Sequence, residues 1–288
     1  MSNDRRQRAL VQLVANAEAV SRRHREEIER LAPVKPGGTA FLPGYAPYIG
    51  SDYFADRTKG RRVLFYALSQ NLHDGYEPAK TWAEEWSIGL DRQNHSYACE
   101  GTAAMHPFDT GHIPVLASLI RSSLSAKLPG PGESIYPEVA ATNLSKFSFR
   151  SPDRRLAIDD IDSLRLCWEW FSRLEVDVLC PDVIVCLDAR VHRIVRRELG
   201  DRRGIIRLPF PSLRVINRHY RKPLCAGHLS AQQICRRIAA CDLHRHVGHN
   251  HTLASLVERD VYYFAEVNRR VVPKLEGVAG RDLTPHGD

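Results

Sequence analysis

The sequence predicts an α/β fold: a three-layer α-β-α sandwich around a central, mainly parallel sheet of four strands. Four short, continuous apolar runs have the composition of strands that are buried on both faces. Segments with apolar residues at helical spacing lie between these runs. Strands that alternate with helices indicate a parallel sheet covered by helices.

Before the first predicted strand, the chain is expected to form one helix and then a loop. Apolar side chains recur at helical spacing over residues 5–31, and Pro33 stops the helix. Residues 33–53 are rich in Pro, Gly and Tyr, which is typical of a loop. The apolar run over residues 62–68 predicts the first strand. The elements expected next are a helix near residues 79–89, irregular chain over 91–106 and a helix over 111–127.

The rest of the chain continues the alternation of strands and helices. The strands predicted second, third and fourth lie at residues 135–142, 181–187 and 204–209. Asp159 and Asp160 can cap a helix that runs to about Val176. The further helices that we predict cover residues 190–199, residues 230–240 with Ser230 as the cap, and residues 252–270.

A chain of 288 residues with 43% hydrophobic and 26% charged residues has the composition of a globular protein. We expect an N-terminal helix over residues 1–35 that packs on or extends the domain, one domain over residues 36–275, and a flexible tail over residues 276–288. No apolar run approaches the ~18 residues of a membrane span, and the arginine-rich N-terminus lacks an apolar signal-peptide core. We therefore expect a protein of the cytoplasm, associated with the nucleoid, or of the nucleus.

The cysteines and the net charge limit the function further. The seven cysteines form no CxxC pair, and most stand among apolar neighbours, as Cys180 and Cys186 do, which predicts buried, reduced thiols. The net charge of +7 is carried mainly by arginines, many of them in adjacent pairs, which suits a polyanionic partner. Four histidines lie at 244–251, near Cys241, but without the fixed carboxylate or CxxC ligands of a zinc site. We therefore predict no metal.

Polar segments follow the predicted strands, where parallel α/β sheets place their sites. These segments are Leu68-Ser-Gln-Asn-Leu-His-Asp-Gly75 after strand one, Thr142-Asn-Leu-Ser-Lys146 after strand two and Phe210-Pro-Ser-Leu-Arg-Val-Ile-Asn-Arg-His-Tyr220 after strand four. A further segment, His106-Pro-Phe-Asp-Thr-Gly-His112, leads into a helix. In order and placement over roughly residues 40–240, they resemble the motifs of the uracil-DNA glycosylase superfamily.

The resemblance implies hydrolysis of the N-glycosidic bond of uracil or a related deaminated base in DNA, with the target nucleotide flipped into a pocket. By this resemblance Asn71 orients the attacking water. An amide is a weak base, so Asp74 or His73 could be the base instead. Alternatively, Asn71 could be a structural residue that only forms hydrogen bonds with the backbone of the turn after the strand.

The resemblance also gives roles in holding the base and the DNA. Phe108 stacks on the base, Asn143 reads its edge because an amide donates and accepts at once, and Gln70 contacts it. Phe108 could instead be a plain core aromatic, and Asn143 a structural cap of its strand. The DNA contacts implied are Lys146, Ser212, Arg214, Asn217, Arg218 and His219. Lys146 could equally be a solvated charge.

The sequence departs from the family at three places. Leu72-His73 stands where the family has Pro-Gly or Pro-Tyr, and Phe210 replaces the loop histidine, so that Asn217 or His219 would have to stabilise the leaving base. The iron–sulfur members of the family need four cysteines, and Phe147 stands at one such position. We expect no cofactor and a monomer that binds DNA. The alternatives are a catalytically weak or inactive nucleic-acid or nucleotide-binding protein of the same fold, and an unrelated α/β enzyme.

Overall fold

The structure is a computed structural model that describes residues 2–31, 41–43, 47–68, 112–124, 135–149, 161–200, 204–211, 213–222, 230–237 and 252–279. The predicted helix near residues 79–89 and the irregular segment over 91–106 lie outside these ranges.

The main sheet has five strands in the described part of the chain. They are β2 (Tyr48–Ile49), β3 (Val63–Ala67), β4 (Val139–Asn143), β6 (Val183–Cys186) and β7 (Gly204–Arg207), in the order β2-β4-β3-β6-β7. β3 pairs in parallel with β4 and β6, and β6 pairs in parallel with β7. All five residues of β3 and all four of β6 are buried, as their apolar sequences predict.

The predicted strand count of four is wrong, because β2 adds a fifth strand antiparallel to β4. The two residues of β2 lie within the predicted loop over residues 33–53 and are too few to show a sequence period. A separate two-stranded sheet pairs β1 (Phe41–Pro43) with β5 (Phe147–Phe149) in antiparallel register.

The helices that the structure describes are α1 (Ser2–Arg23), α2 (Arg25–Leu31), α3 (His112–Ser123), α4 (Ile161–Cys167), α5 (Arg173–Leu179), α6 (Ala189–Leu199), α7 (Leu213–His219), α8 (Ala231–Cys235), α9 (Leu253–Arg259) and α10 (Val261–Ala279). A π-helical turn, Trp168–Ser172, joins α4 to α5. The single helix predicted over residues 252–270 is two helices divided at Asp260, and the second continues through Pro273 to Ala279. Residues 276–279 of the predicted tail are therefore helical.

Alternate residues of the strands belong to two hydrophobic clusters. One contains Val63 and Phe65 of β3 with apolar side chains of α3, α7, α9 and α10. The other contains Leu64 and Tyr66 with side chains of α1, α4, α5 and α6. The period of two along β3 shows that each face of the sheet contributes to a different cluster.

The N-terminal helix α1 belongs to the second cluster. Leu10, Leu13 and Ala17 of α1 are buried there. The side chain of Asn16 donates to the carbonyl of Trp170 at 2.9 Å, in the π-helical turn. On the same helix, the guanidinium of Arg6 donates to the carbonyl of Ile49 in β2 at 2.7 Å, so α1 reaches the β2 edge of the sheet.

Burial of the thiols follows the prediction only in part. Cys167 and Cys186 are buried and form no disulfide, and burial raises the pKa of the Cys186 thiol. Cys180 is exposed, because it ends α5 in the left-handed conformation with φ of 45°.

Candidate functional site

The candidate site is the edge of the main sheet where the parallel strands end. The strands are in register, with Tyr66 opposite Thr142 and Cys186, and Cys186 opposite Arg207. The carboxyl ends of β4, β3, β6 and β7 are therefore level. The polar segments predicted after strands one, two and four all leave the sheet at this edge, where α/β proteins bind ligands.

Asn143 is the last residue of β4 and lies opposite Ala67, the last residue of β3. The next two backbone amides hold the turn against β3: Leu144 donates to the Ala67 carbonyl at 2.9 Å, and Ser145 donates to the Leu68 carbonyl at 2.8 Å. The carboxyl ends of β3 and β4 are therefore held side by side at Asn143.

The amide side chain of Asn143 is 8% exposed. Its Oδ1 is buried and has no hydrogen-bond partner among the residues that the structure describes. A buried amide oxygen without a partner costs free energy, which a bound ligand that donates a hydrogen bond would recover. Within the described part of the chain, the Asn143 amide oxygen is thus a buried acceptor without a donor.

A buried ion pair holds the turn after Asn143. The ammonium of Lys146 lies 2.6 Å from Oε1 and 2.9 Å from Oε2 of Glu175 in α5, and both side chains are 1% exposed. Lys146 also donates to the hydroxyl of Thr142 at 2.7 Å. Three donors of one ammonium are therefore satisfied by two residues that flank or face the Asn143 turn.

A neighbouring strand completes this group. Tyr66 of β3 donates its hydroxyl to Oε2 of Glu175 at 3.0 Å. Burial raises the pKa of Tyr66 well above its ordinary value, and the Glu175 carboxylate raises it further. The phenol therefore remains a donor, and Glu175 joins the ends of β3 and β4 through Tyr66, Thr142 and Lys146.

This placement bears on the role predicted for Lys146. A contact with a DNA phosphate, or a solvated charge, requires an ammonium at the surface, whereas that of Lys146 is enclosed and occupied. In this arrangement Lys146 holds the Asn143 turn. Its partner Glu175 was not predicted, although an acidic residue at position i+4 from the buried Phe171 was a signal of a charge on the inner helix face.

Several predicted site residues lie outside the described part of the chain, so their roles stay predictions. They are Gln70, Asn71, His73, Asp74, Phe108 and Ser212. The described chain resumes at His112, the first residue of α3. His112 contacts Tyr263 edge-on at 5.9 Å, and Tyr263 donates to the Pro209 carbonyl just beyond β7. The start of α3 therefore lies close to the site edge.

His112 also forms a buried pair that was not predicted from the sequence. Its Nε2 lies 2.9 Å from Oδ2 of Asp260, and both side chains are 2–3% exposed. Burial raises the pKa of Asp260, but hydrogen bonds with His112 and Arg259 outweigh it, so the pKa is lowered overall. Because Asp260 divides α9 from α10, the pair fixes the start of α3 against that junction.

The segment after β7 carries the remaining predicted contacts. Phe210, in place of the family's histidine, is 38% exposed. Arg214 lies in the first turn of α7, and Arg218 and His219 are exposed near its end. Asn217 is exposed too and accepts a hydrogen bond from Nε of Arg221 at 2.8 Å. This surface is positively charged, and it is separate from the Asn143 turn by the width of β3 and β6.

Among the described residues there is no group of three or more side chains able to hold a metal ion, and none of the described helices is long and apolar enough to cross a membrane. No protein-family model matches the chain, and neither a curated protein nor a solved structure was found to match it.

Proposed function

We propose that the protein hydrolyses the N-glycosidic bond of uracil or a related deaminated base in DNA, on a three-layer α-β-α fold like that of the uracil-DNA glycosylases. The observation that carries the proposal is Asn143. Its amide is almost fully buried, its oxygen lacks a partner in the described chain, and it lies at the carboxyl edge of the parallel strands. The two hydrophobic clusters support the layered fold.

The reaction would need a flipped nucleotide, a positioned water and stabilisation of the leaving base. The transition state has a cationic sugar and an anionic base, so hydrogen bonds aimed at the base lower the barrier. In this proposal Asn143 binds the base edge, Phe108 stacks on it with Gln70 beside it, and Asn71 orients the water. Asp74 or His73 is the alternative base.

The rigidity of the Asn143 turn supports a role in catalysis. A hydrogen-bonding group stabilises a transition state best when it is oriented before the reaction, because then no reorganisation is required. The Lys146–Glu175 pair and the two backbone bonds to β3 supply such an orientation.

A second candidate function is binding of nucleic acid or nucleotide without hydrolysis. It is favoured by Phe210, which stands at the position of the family's catalytic histidine and is partly exposed. A phenyl ring cannot donate a hydrogen bond to the leaving base. The same pocket could then bind a flipped base that is not cleaved.

Excision assays distinguish the two functions. Fluorescent oligonucleotides would carry uracil, hypoxanthine or xanthine, single-stranded and opposite each base, and alkali-sensitive cleavage would be measured. For Asn143→Ala we expect a loss of about 10²–10³-fold in rate. Gln12→Ala removes an exposed amide from α1 and should leave the rate unchanged.

Each outcome favours one function. Cleavage that Asn143→Ala abolishes and Gln12→Ala does not would support the glycosylase. No cleavage with salt-sensitive DNA binding would favour the binding protein. Neither cleavage nor binding would refute both proposals.

A further inference from the structure

The β7 side of the sheet is a surface on which three elements bring positive charge together. β7 pairs only with β6 among the described strands, so it forms an edge. α6 and α10 both pack against β7, and residues of α6 and α10 belong to opposite clusters. Arg207, the last residue of β7, is exposed.

Two cations of this surface are exposed and have no ion pair with another described residue. Arg207 and Lys274 of α10 are exposed, and neither forms an ion pair within the described ranges. Other arginines of α6 and α10 do form ion pairs: Arg190 with Asp188, and Arg269 and Arg270 with Glu266. Arg207 and Lys274 are therefore free to meet an external anion.

The charges of this surface act together on His192 of α6. Burial lowers the pKa of His192, and the positive charges of Lys274, Arg196 and Arg207 lower it further. Cations on α6, β7 and α10 thus act on one imidazole. We call the surface formed by Arg196, Arg207, Lys274 and Phe210 the basic edge.

Phe210 adds an exposed aromatic ring to this charge. It follows Arg207 by three residues and stands between two prolines, which restrict the backbone. The preceding carbonyl, of Pro209, accepts a hydrogen bond from Tyr263 at 2.9 Å. The ring is therefore held on a constrained segment. Proteins commonly bind single-stranded nucleic acids with exposed aromatic side chains that lie beside cations.

We infer that the basic edge binds single-stranded DNA, with a base stacked on Phe210 and phosphates at Arg207 and Lys274. The choice of DNA rests on the proposed function; the site itself is additional to the Asn143 pocket. β7 lies three strands from β4, which carries Asn143, and this is about 14 Å at the usual strand spacing. A strand whose base enters the pocket could therefore place a nearby, non-adjacent nucleotide on Phe210.

The test uses fluorescein-labelled oligothymidylate without uracil, and fluorescence anisotropy over a range of salt concentrations. Each phosphate contact to a single strand contributes about 0.7 to the slope of log affinity against log salt. Arg207→Gln with Lys274→Gln should therefore reduce the slope by about 1.4. Arg8→Gln with Arg22→Gln removes the same charge from exposed positions on α1, which reaches the opposite edge of the sheet, and should reduce it far less.

Phe210→Ala tests the stacking contact separately. It should weaken binding between about fivefold and a hundredfold while the salt slope stays as in the wild type. The inference is wrong if Phe210→Ala binds like the wild type, if both double variants change the slope equally, or if a duplex of the same length binds more tightly. Because the probe contains no uracil, these results do not depend on whether the protein is a glycosylase.

Discussion

Replacing Lys146 by Met should destabilise the protein strongly. Methionine keeps an unbranched apolar stem but removes the ammonium, which supplies the two shortest contacts of Glu175, at 2.6 and 2.9 Å. Glu175 would keep the Tyr66 hydroxyl at 3.0 Å, a neutral donor that cannot balance a buried charge. Leaving one partner of a buried pair uncompensated costs about 3–5 kcal/mol, which we expect as the loss in free energy of unfolding by urea at pH 7.

The pH dependence of this variant should have the opposite sign to ordinary acid denaturation. Without the ammonium, the carboxylate of Glu175 is a buried charge with no balancing cation, and taking up a proton neutralises it. A folded state that binds the proton more tightly than the unfolded state gains stability as the pH falls. The deficit of Lys146→Met relative to the wild type should therefore shrink between pH 7 and pH 5.

Two control variants isolate the charge effect. Lys146→Met with Glu175→Gln removes both charges and leaves an amide oxygen for Tyr66, so it should recover most of the loss. Arg165→Met breaks the exposed pair with Asp162 at 3.1 Å and should cost less than about 1 kcal/mol. A cost of Lys146→Met below about 1 kcal/mol, or a double variant as unstable as the sum of the single ones, would refute this account.

Two further predictions concern stability away from the site. Hydrogen bonds from Arg269 and then Arg270 hold the pKa of Glu266 at about 2. The stability that Glu266 contributes is therefore present above the pKa of the unfolded chain and is lost as the pH falls towards 2. Glu266→Gln should make the free energy of unfolding, measured by circular dichroism, depend less on pH between about pH 4.5 and 2. Leu13→Ala should cost about 2–5 kcal/mol because Leu13 is buried in the second cluster, whereas Val11→Ala on the exposed face of α1 should cost almost nothing; equal effects would show that α1 does not pack on the domain.

The parallel part of the sheet could be predicted because its strands are continuous apolar runs. β3, β4, β6 and β7 all fall within or next to the predicted strands, with β4 ending one residue later, at Asn143. The fifth strand, β2, could not be predicted, because it has only two residues and its position is set by pairing with Ala140 and Ala141. Helix bounds failed for a similar reason: the division of the last helix at Asp260 depends on His112, which is 148 residues away in the sequence.

The candidate site was predictable where it depends on chain order alone. An asparagine directly after a buried strand must lie at the carboxyl edge, and Asn143 does. The state of Lys146 was not predictable, because a lysine after a strand gives no sign of whether it faces solvent. Its burial is decided by Glu175, which lies on a helix 29 residues further along the chain and looks in sequence like one more surface acid.

The burial of Lys146 has a consequence for how DNA could be bound. Its ammonium cannot both balance Glu175 and neutralise a phosphate, so phosphate contacts must come from cations at the surface, such as Arg207 and Lys274. The two sets of variants should therefore differ in which property they change. Lys146→Met should lower stability, whereas the Arg207 and Lys274 changes, being exposed, should alter stability by less than about 0.5 kcal/mol and lower DNA affinity. A folded Lys146→Met protein with a reduced salt slope would show instead that Lys146 reaches the phosphates when DNA is bound.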